Sequence, residues 1–232
     1  MIFANYDLLF RDPVAFFLLL LSVAAGLIVG ITVHEFSHAL VSYRLGDSTA
    51  RRQGRLTLNP LAHLDPMGTI LLFLAGFGWG KPTPVNALAF GRNAVQGMAL
   101  VSLAGPLSNV VVAGIVGQLF RANVGILEPG GWPDLFLSSI FFYNLMLAVF
   151  NLLPLAPLDG FKVLLALLPR AWARSFARLE AWGPGILLLI IAIDWLPRFG
   201  GASLPRLNIL GRILFPPINL LSEVLTGARV IG

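Results

Sequence analysis

Long apolar runs separated by short polar links make up most of the chain. The first run opens after Asp12-Pro13, where Asp12 can cap a helix whose first residue is Pro13. Nothing from Val14 to about Leu45 breaks that helix firmly, and Gly26 and Gly30 offer small surfaces to a packing neighbour. Gly46 and Asp47 end it. Ser48 to Leu58 is polar and basic around Gly54, and the alternating stretch Arg55-Leu56-Thr57-Leu58 predicts part of a short β-hairpin. Asn59 to Pro66 is a turn-rich link. Met67 to Trp79 is apolar but falls well short of the roughly 20 residues that cross a bilayer, which leaves a helix and a re-entrant segment both open. Lys81 to Asn93, with Pro82 and Pro84, reads as a loop.

Ala94–Phe120 and Leu135–Leu153 are each long enough to span, the first with a kink expected at Gly105-Pro106 and the second capped by Asp134. The Gly/Pro-rich loop Arg121–Pro133, which holds Glu128, lies between them. Asn151–Gly160 has two prolines three apart and cannot be regular helix throughout. A basic amphipathic piece follows, with Arg170, Arg174 and Arg178 at helical spacing. The last runs are Ile186–Leu196 and about Leu207–Leu225, the second broken by Pro216-Pro217. The pattern predicts a mainly α, polytopic transmembrane helical bundle of about 5–6 membrane segments with one short β-hairpin. No internal repeat or low-complexity tract divides it, so residues 1–232 read as a single membrane-embedded domain.

Composition agrees: 57% of residues are hydrophobic and only 12% are charged, about half the charge of a typical soluble domain. The net charge of +5 comes from basic residues scattered between apolar runs, which excludes a nucleic-acid patch and suits contacts to a lipid bilayer. The N-terminal stretch shows no small-residue cleavage site, so the first run reads as an uncleaved span. Arg44, Arg51, Arg52 and Arg55 follow it, and the positive-inside rule puts that end in the cytoplasm. Counting spans returns Asn151–Gly160 to the same face. With no cysteine there are no thiolate ligands.

Late in the first span stands His34-Glu35-Phe36-Ser37-His38. Histidines at i and i+4 share a helix face and can hold one metal ion, with Glu35 within reach of a metal-activated water. A chance HExxH would place three ionisable groups inside a membrane span, which costs roughly 2.5 kcal/mol or more for a charged one. A zinc site needs a third ligand and an open position for water. Of the 11 acids, Asp7, Asp12, Glu128 and Asp134 belong to the opposite face. Asp47 and Asp65 sit in the basic link, and Glu180, Asp194 and Glu223 lie among arginines or in late segments without polar company. Asp159 remains, beside Gly160 at the end of a proline-interrupted stretch; helix N-capping is a compatible role. His63, on its turn-rich link, is set aside as a surface or interfacial residue. Asn109 and Asn151 are polar groups inside apolar spans, suited either to helix-to-helix hydrogen bonding or to donating to an oxyanion or substrate backbone.

These motifs resemble the site-2 protease family of intramembrane zinc metalloproteases. His34-Glu35-Phe36-Ser37-His38-Ala39 is similar to its zinc helix, and Asn151-Leu152-Leu153-Pro154-Leu155-Ala156-Pro157-Leu158-Asp159-Gly160 to its second motif, whose aspartate is the third ligand. Gly105-Pro106-Leu107-Ser108-Asn109 resembles the segment between them, and His63-Leu64-Asp65-Pro66-Met67-Gly68 the compact prokaryotic branch. The resemblance covers roughly residues 25 to 165. It implies one Zn2+ per chain held by His34, His38 and Asp159, and a multi-pass location in the cell membrane. It further implies hydrolysis of peptide bonds in single-span membrane protein or peptide substrates, with Glu35 as general base. The competing reading is a non-proteolytic zinc-dependent membrane scaffold or transporter, but repeated halves are lacking and no ligand is lost. A helical substrate must be extended before it is cut, and Arg55, Leu56, Thr57 and Leu58 are the strand-like candidate for holding it.

Overall fold

The computed structural model describes residues 6–75, 78–122, 130–199 and 207–229; Glu128 and residues 76 and 77 of the short apolar run lie outside them. The chain is mainly helical. A short α1 (Tyr6–Arg11) leads into α2 (Pro13–Arg44). Asp12 caps α2 as expected, its carboxylate accepting from the Ala15 amide at 3.0 Å. Next come a single helical turn, α3 (Thr49–Arg52), the ten-residue α4 (Pro66–Ala75) and α5 (Ala94–Arg121). Then follow α6 (Trp132–Asn151), α7 (Asp159–Leu167), α8 (Arg170–Ala177), α9 (Gly183–Phe199) and α10 (Ile209–Thr226). By length and composition, α2, α5, α6 and α10 can each cross a membrane. The segment from α8 into α9, bent by 60°, would make a fifth crossing.

The helices α2, α5 and α6 pack against one another, α7 lies on α5, and α10 closes against α5 and α6. Ala113, Val116, Phe141, Leu145, Leu214 and Ile218 form the apolar core of the last three. The inner face of α5 is otherwise small or polar (Gly97, Ser102, Gly105, Asn109), whereas Leu100, Leu107, Val111 and Ile115 point outward along one stripe. Large apolar residues outside and small ones between helices is the arrangement a bilayer favours. Gly26 shows why: a Cβ there would lie 2.6 Å from the carbonyl oxygen of Ser139, so only glycine lets α2 and α6 meet so closely.

One expected break is absent: α10 continues through Pro216-Pro217. Pro106 lies inside α5, which continues past it. Asp134 lies in the first turn of α6 rather than at its cap, where its carboxylate accepts from the Gly130 amide at 3.1 Å. The run after Pro66 forms a helix of ten residues, about 15 Å long and half a bilayer core. Its two ends are tied together: Leu64 pairs with Gly80 in an antiparallel bridge, and the Lys81 amide donates to the His63 carbonyl at 2.8 Å. Residues 64 and 80, which flank the segment, therefore lie side by side.

The predicted hairpin does not form; the described residues contain no strand beyond that isolated bridge. Thr49–Arg52 is helical, and Arg55, Leu56, Thr57 and Leu58 follow as irregular chain. The reason is Arg55. Its guanidinium is buried and donates to the carbonyls of Ala62, Lys81 and Pro82, so the segment is tied down by a side chain rather than by a ladder. Burial pulls the Arg55 pKa down, while the Glu35 carboxylate pushes it the other way.

Asp47 and His63 also depart from expectation, since both are buried. Asp47 accepts from the Ser42 hydroxyl at 2.9 Å and from the amides of Thr49 and Asn86 at 2.9 and 2.7 Å. Burial pushes its carboxyl up, but the hydrogen bonds from Thr49, Asn86 and Ser42 outweigh it and hold the pKa below the ordinary value. His63 bonds the Thr57 carbonyl through Nε2 at 2.8 Å. Together with Arg55 these residues tie the chain around α4 to the end of α2.

Candidate metal centre

His34 and His38 lie one turn apart on the buried face of α2. Their rings stand edge to face, 4.5 Å between centroids. Across from them Asp159 is the first residue of α7, and the N-cap position belongs to Leu158. The carboxylate makes no capping bond. Instead Oδ2 stands 3.1 Å from His34 Nε2 and 3.2 Å from His38 Nε2. Gly160 permits this placement, because a side chain there would run into the backbone of Leu152 and Leu153 at the end of α6.

The outer nitrogens of both rings are engaged. Asn109 Oδ1 stands 2.6 Å from His34 Nδ1, and the Val101 carbonyl 2.7 Å from His38 Nδ1. Each acceptor fixes the proton on Nδ1 and leaves Nε2 with a bare lone pair. Two bare nitrogens and a carboxylate oxygen then face one another, an arrangement that repels until a cation enters. Ligand atoms about 2.0–2.1 Å from a tetrahedral zinc are about 3.3 Å apart, close to the spacings found. His34, His38 and Asp159 are also the group of metal-ligating side chains that the described residues bring together. The residues fit zinc.

Glu35 faces the same region. The Thr83 amide donates to its Oε2 at 2.7 Å, and the Thr83 hydroxyl to its main-chain carbonyl at 3.0 Å. Glu35 lines both cavities at the centre. Thr83 was not singled out in the sequence; it sits in what reads as a plain proline-rich loop, and only the fold brings it to α2.

Asn109 and Asn151 part company. Asn109 is fully buried behind His34, its amide nitrogen donating to the Gly30 carbonyl and to Asn144 Oδ1, both at 2.9 Å. It has no face towards the cavity and is a helix-to-helix bond that also holds a ligand. Asn151 donates to the Leu147 carbonyl at 2.9 Å and lines the cavities on both sides of Glu35. Asn144, missed by sequence reading, braces Asn109. Outer partners of metal-bound histidines typically contribute 10–100-fold in affinity. Asn109→Ala is therefore expected to weaken zinc binding by about that factor, measured by competition with a chelating dye, without removing the site.

Comparison with known proteins agrees with this geometry. Residues 130–191, which include α6, the Asn151–Gly160 stretch and α7, match the model of peptidase family M50. The protein "Putative zinc metalloprotease YwhC" of Bacillus subtilis is 43% identical over 169 residues, covering 71% of this chain and 77% of its own. The chain belongs to peptidase family M50. Two proteins named "Putative zinc metalloprotease Rip2" are also similar. That of Mycolicibacterium smegmatis is 31% identical over 81% of this chain and 73% of its own. That of Mycobacterium tuberculosis is 30% identical over 88% and 83%. No solved structure matches the chain. With M50, the site-2 protease family, come a zinc cofactor and the coarse activity of a metalloprotease, in a multi-pass membrane protein.

Proposed function

We propose that this chain, as one membrane-embedded domain, hydrolyses peptide bonds of single-span membrane substrates, with His34, His38 and Asp159 holding one zinc and Glu35 carrying the proton. The observation that supports it best is the convergence of two Nε2 atoms on Asp159 Oδ2 beside a carboxylate held by Thr83. Bound zinc supplies Lewis acidity, polarising the scissile carbonyl and lowering the pKa of a water to about 7. The Glu35 carboxylate would act as the proton carrier, taking a proton from the attacking water and giving it to the leaving amine. The Thr83 amide keeps Oε2 occupied, so the carboxylate cannot rotate away between the two transfers. Asn151 has a second amide hydrogen free for the carbonyl oxygen of the substrate. By the positive-inside rule, the arginines that follow α2 favour a site on the cytoplasmic side.

The test is Asp159→Ala in purified protein, with zinc content, thermal unfolding in detergent, and cleavage of a model single-span peptide measured side by side. Loss of most zinc and of turnover in a protein that still melts cooperatively is expected. Full zinc occupancy in that variant would overturn the ligand assignment.

A further inference from the structure

Two cavities meet at the metal centre, and they differ in chemistry. One, of about 310 Å³, lies alongside the middle of α2 and is walled by Leu27, Ile31, Leu147, Phe150 and Leu187. His34, Glu35 and Asn151 also reach it, but no lysine or arginine does. The other, of about 380 Å³, reaches one turn further along α2, to His38, and its lining includes Thr83, Ser102, Asp159 and Lys162. Lys162 is the one lysine or arginine in the lining of either cavity.

Lys162 is half-buried on α7, one turn after Asp159. No carboxylate lies within ion-pair distance of it among the described residues. The two acids beside it are already engaged, Asp159 by the histidines and Glu35 by Thr83. A lysine held partly out of water without a counter-ion is costly, and the cost is relieved by an anion that arrives with the ligand. A segment crossing the site would place its membrane-buried part in the apolar cavity and its emerging part in the polar one.

We propose that Lys162 is a specificity-determining residue that pairs with an acidic side chain of the substrate on the membrane-surface side of the scissile bond, while a large apolar side chain fills the cavity on the other side. This rests on the protease reading above. The preferred substrate is thus a single span whose apolar stretch gives way to Asp or Glu next to the cut. A paired charge in a half-buried cleft should favour it by about tenfold, equivalent to roughly 1.4 kcal/mol.

The experiment uses single-span peptides with a constant apolar core and Asp, Asn or Lys scanned through the positions after it, in zwitterionic detergent. Wild type, Lys162→Met and Lys162→Glu are compared for kcat/KM, with cut sites mapped by mass spectrometry. Binding of the same labelled peptides is measured in a Glu35→Gln background, where no turnover is needed. Wild type should prefer Asp over Lys by about tenfold, in KM and in binding. Lys162→Met should lose the preference, and Lys162→Glu should reverse it. Equal loss on all peptides, or an unchanged preference, would overturn the proposal, as expected of a lysine that only braces α7 or reaches for lipid headgroups. Charge-selective binding without cleavage by wild type would sink the protease reading and support the role of Lys162. Cleavage without charge preference would sink Lys162 alone.

Discussion

Glu35→Gln is expected to keep its zinc and lose cleavage by roughly 100- to 10,000-fold, the usual worth of a placed general base. Glutamine preserves the shape of the side chain. Its single carbonyl oxygen can still accept from the Thr83 amide, which in the wild type stands 2.7 Å from Oε2. What then faces the cavity is an amide NH2, which donates and cannot accept. The water keeps its proton and the amine leaves without one. Zinc analysis and turnover on a model membrane peptide check this together. Near-normal turnover would remove Glu35 from the proton path, whereas lost zinc would show that the variant disturbs the ligands instead.

A second variant separates position from chemistry. Thr83→Pro removes the amide that holds Oε2 but leaves every titratable group in place. The comparison matters because Thr83 reaches Glu35 only through a chain of braces, Arg55 on the carbonyls of Lys81 and Pro82 and Asp47 on the Asn86 amide.

How much of this could be read from the chain follows from where the information sits. The pairing of His34 and His38 was legible because helical periodicity alone puts them on one face of α2. Asp159 was reachable by elimination, since an acid at the end of an apolar span has few other uses. The long spans were legible from length. The stretch Arg55-Leu56-Thr57-Leu58 misled because alternation signals a strand only when a partner strand exists, and here a buried guanidinium takes the carbonyls instead. Pro216-Pro217 misled in the opposite way: within a packed bundle, neighbouring helices tolerate a proline that a local rule reads as a break. Thr83, Asn144 and the burial of Asp47 and His63 were invisible, because each depends on a contact between segments distant in sequence, and none carries a local pattern.

Gly105→Ala is expected to empty the metal site although Gly105 touches no metal. It lies on α5 directly behind the ligands, and a Cβ there would stand 2.6 Å from His34 Nε2 and 2.6 Å from His38 Cε1. Neither ring can yield. His34 is pinned by Asn109 at 2.6 Å and His38 by the Val101 carbonyl at 2.7 Å, so one of those bonds breaks or α5 moves off α2. Either outcome spoils the meeting of the two Nε2 atoms with Asp159. The loss of zinc affinity should reach or exceed about 100-fold, the upper end for disturbing the partners of a ligating histidine, with turnover falling alongside. Gly114→Ala on the same helix is the control. Its Cβ would find only Leu225 Cδ2 at 3.7 Å, an ordinary contact, and alanine is the better helix former by about 1 kcal/mol. That variant should keep full zinc and melt no lower than wild type. If Gly105→Ala bound zinc as Gly114→Ala does, the two imidazoles would not be where the structure places them.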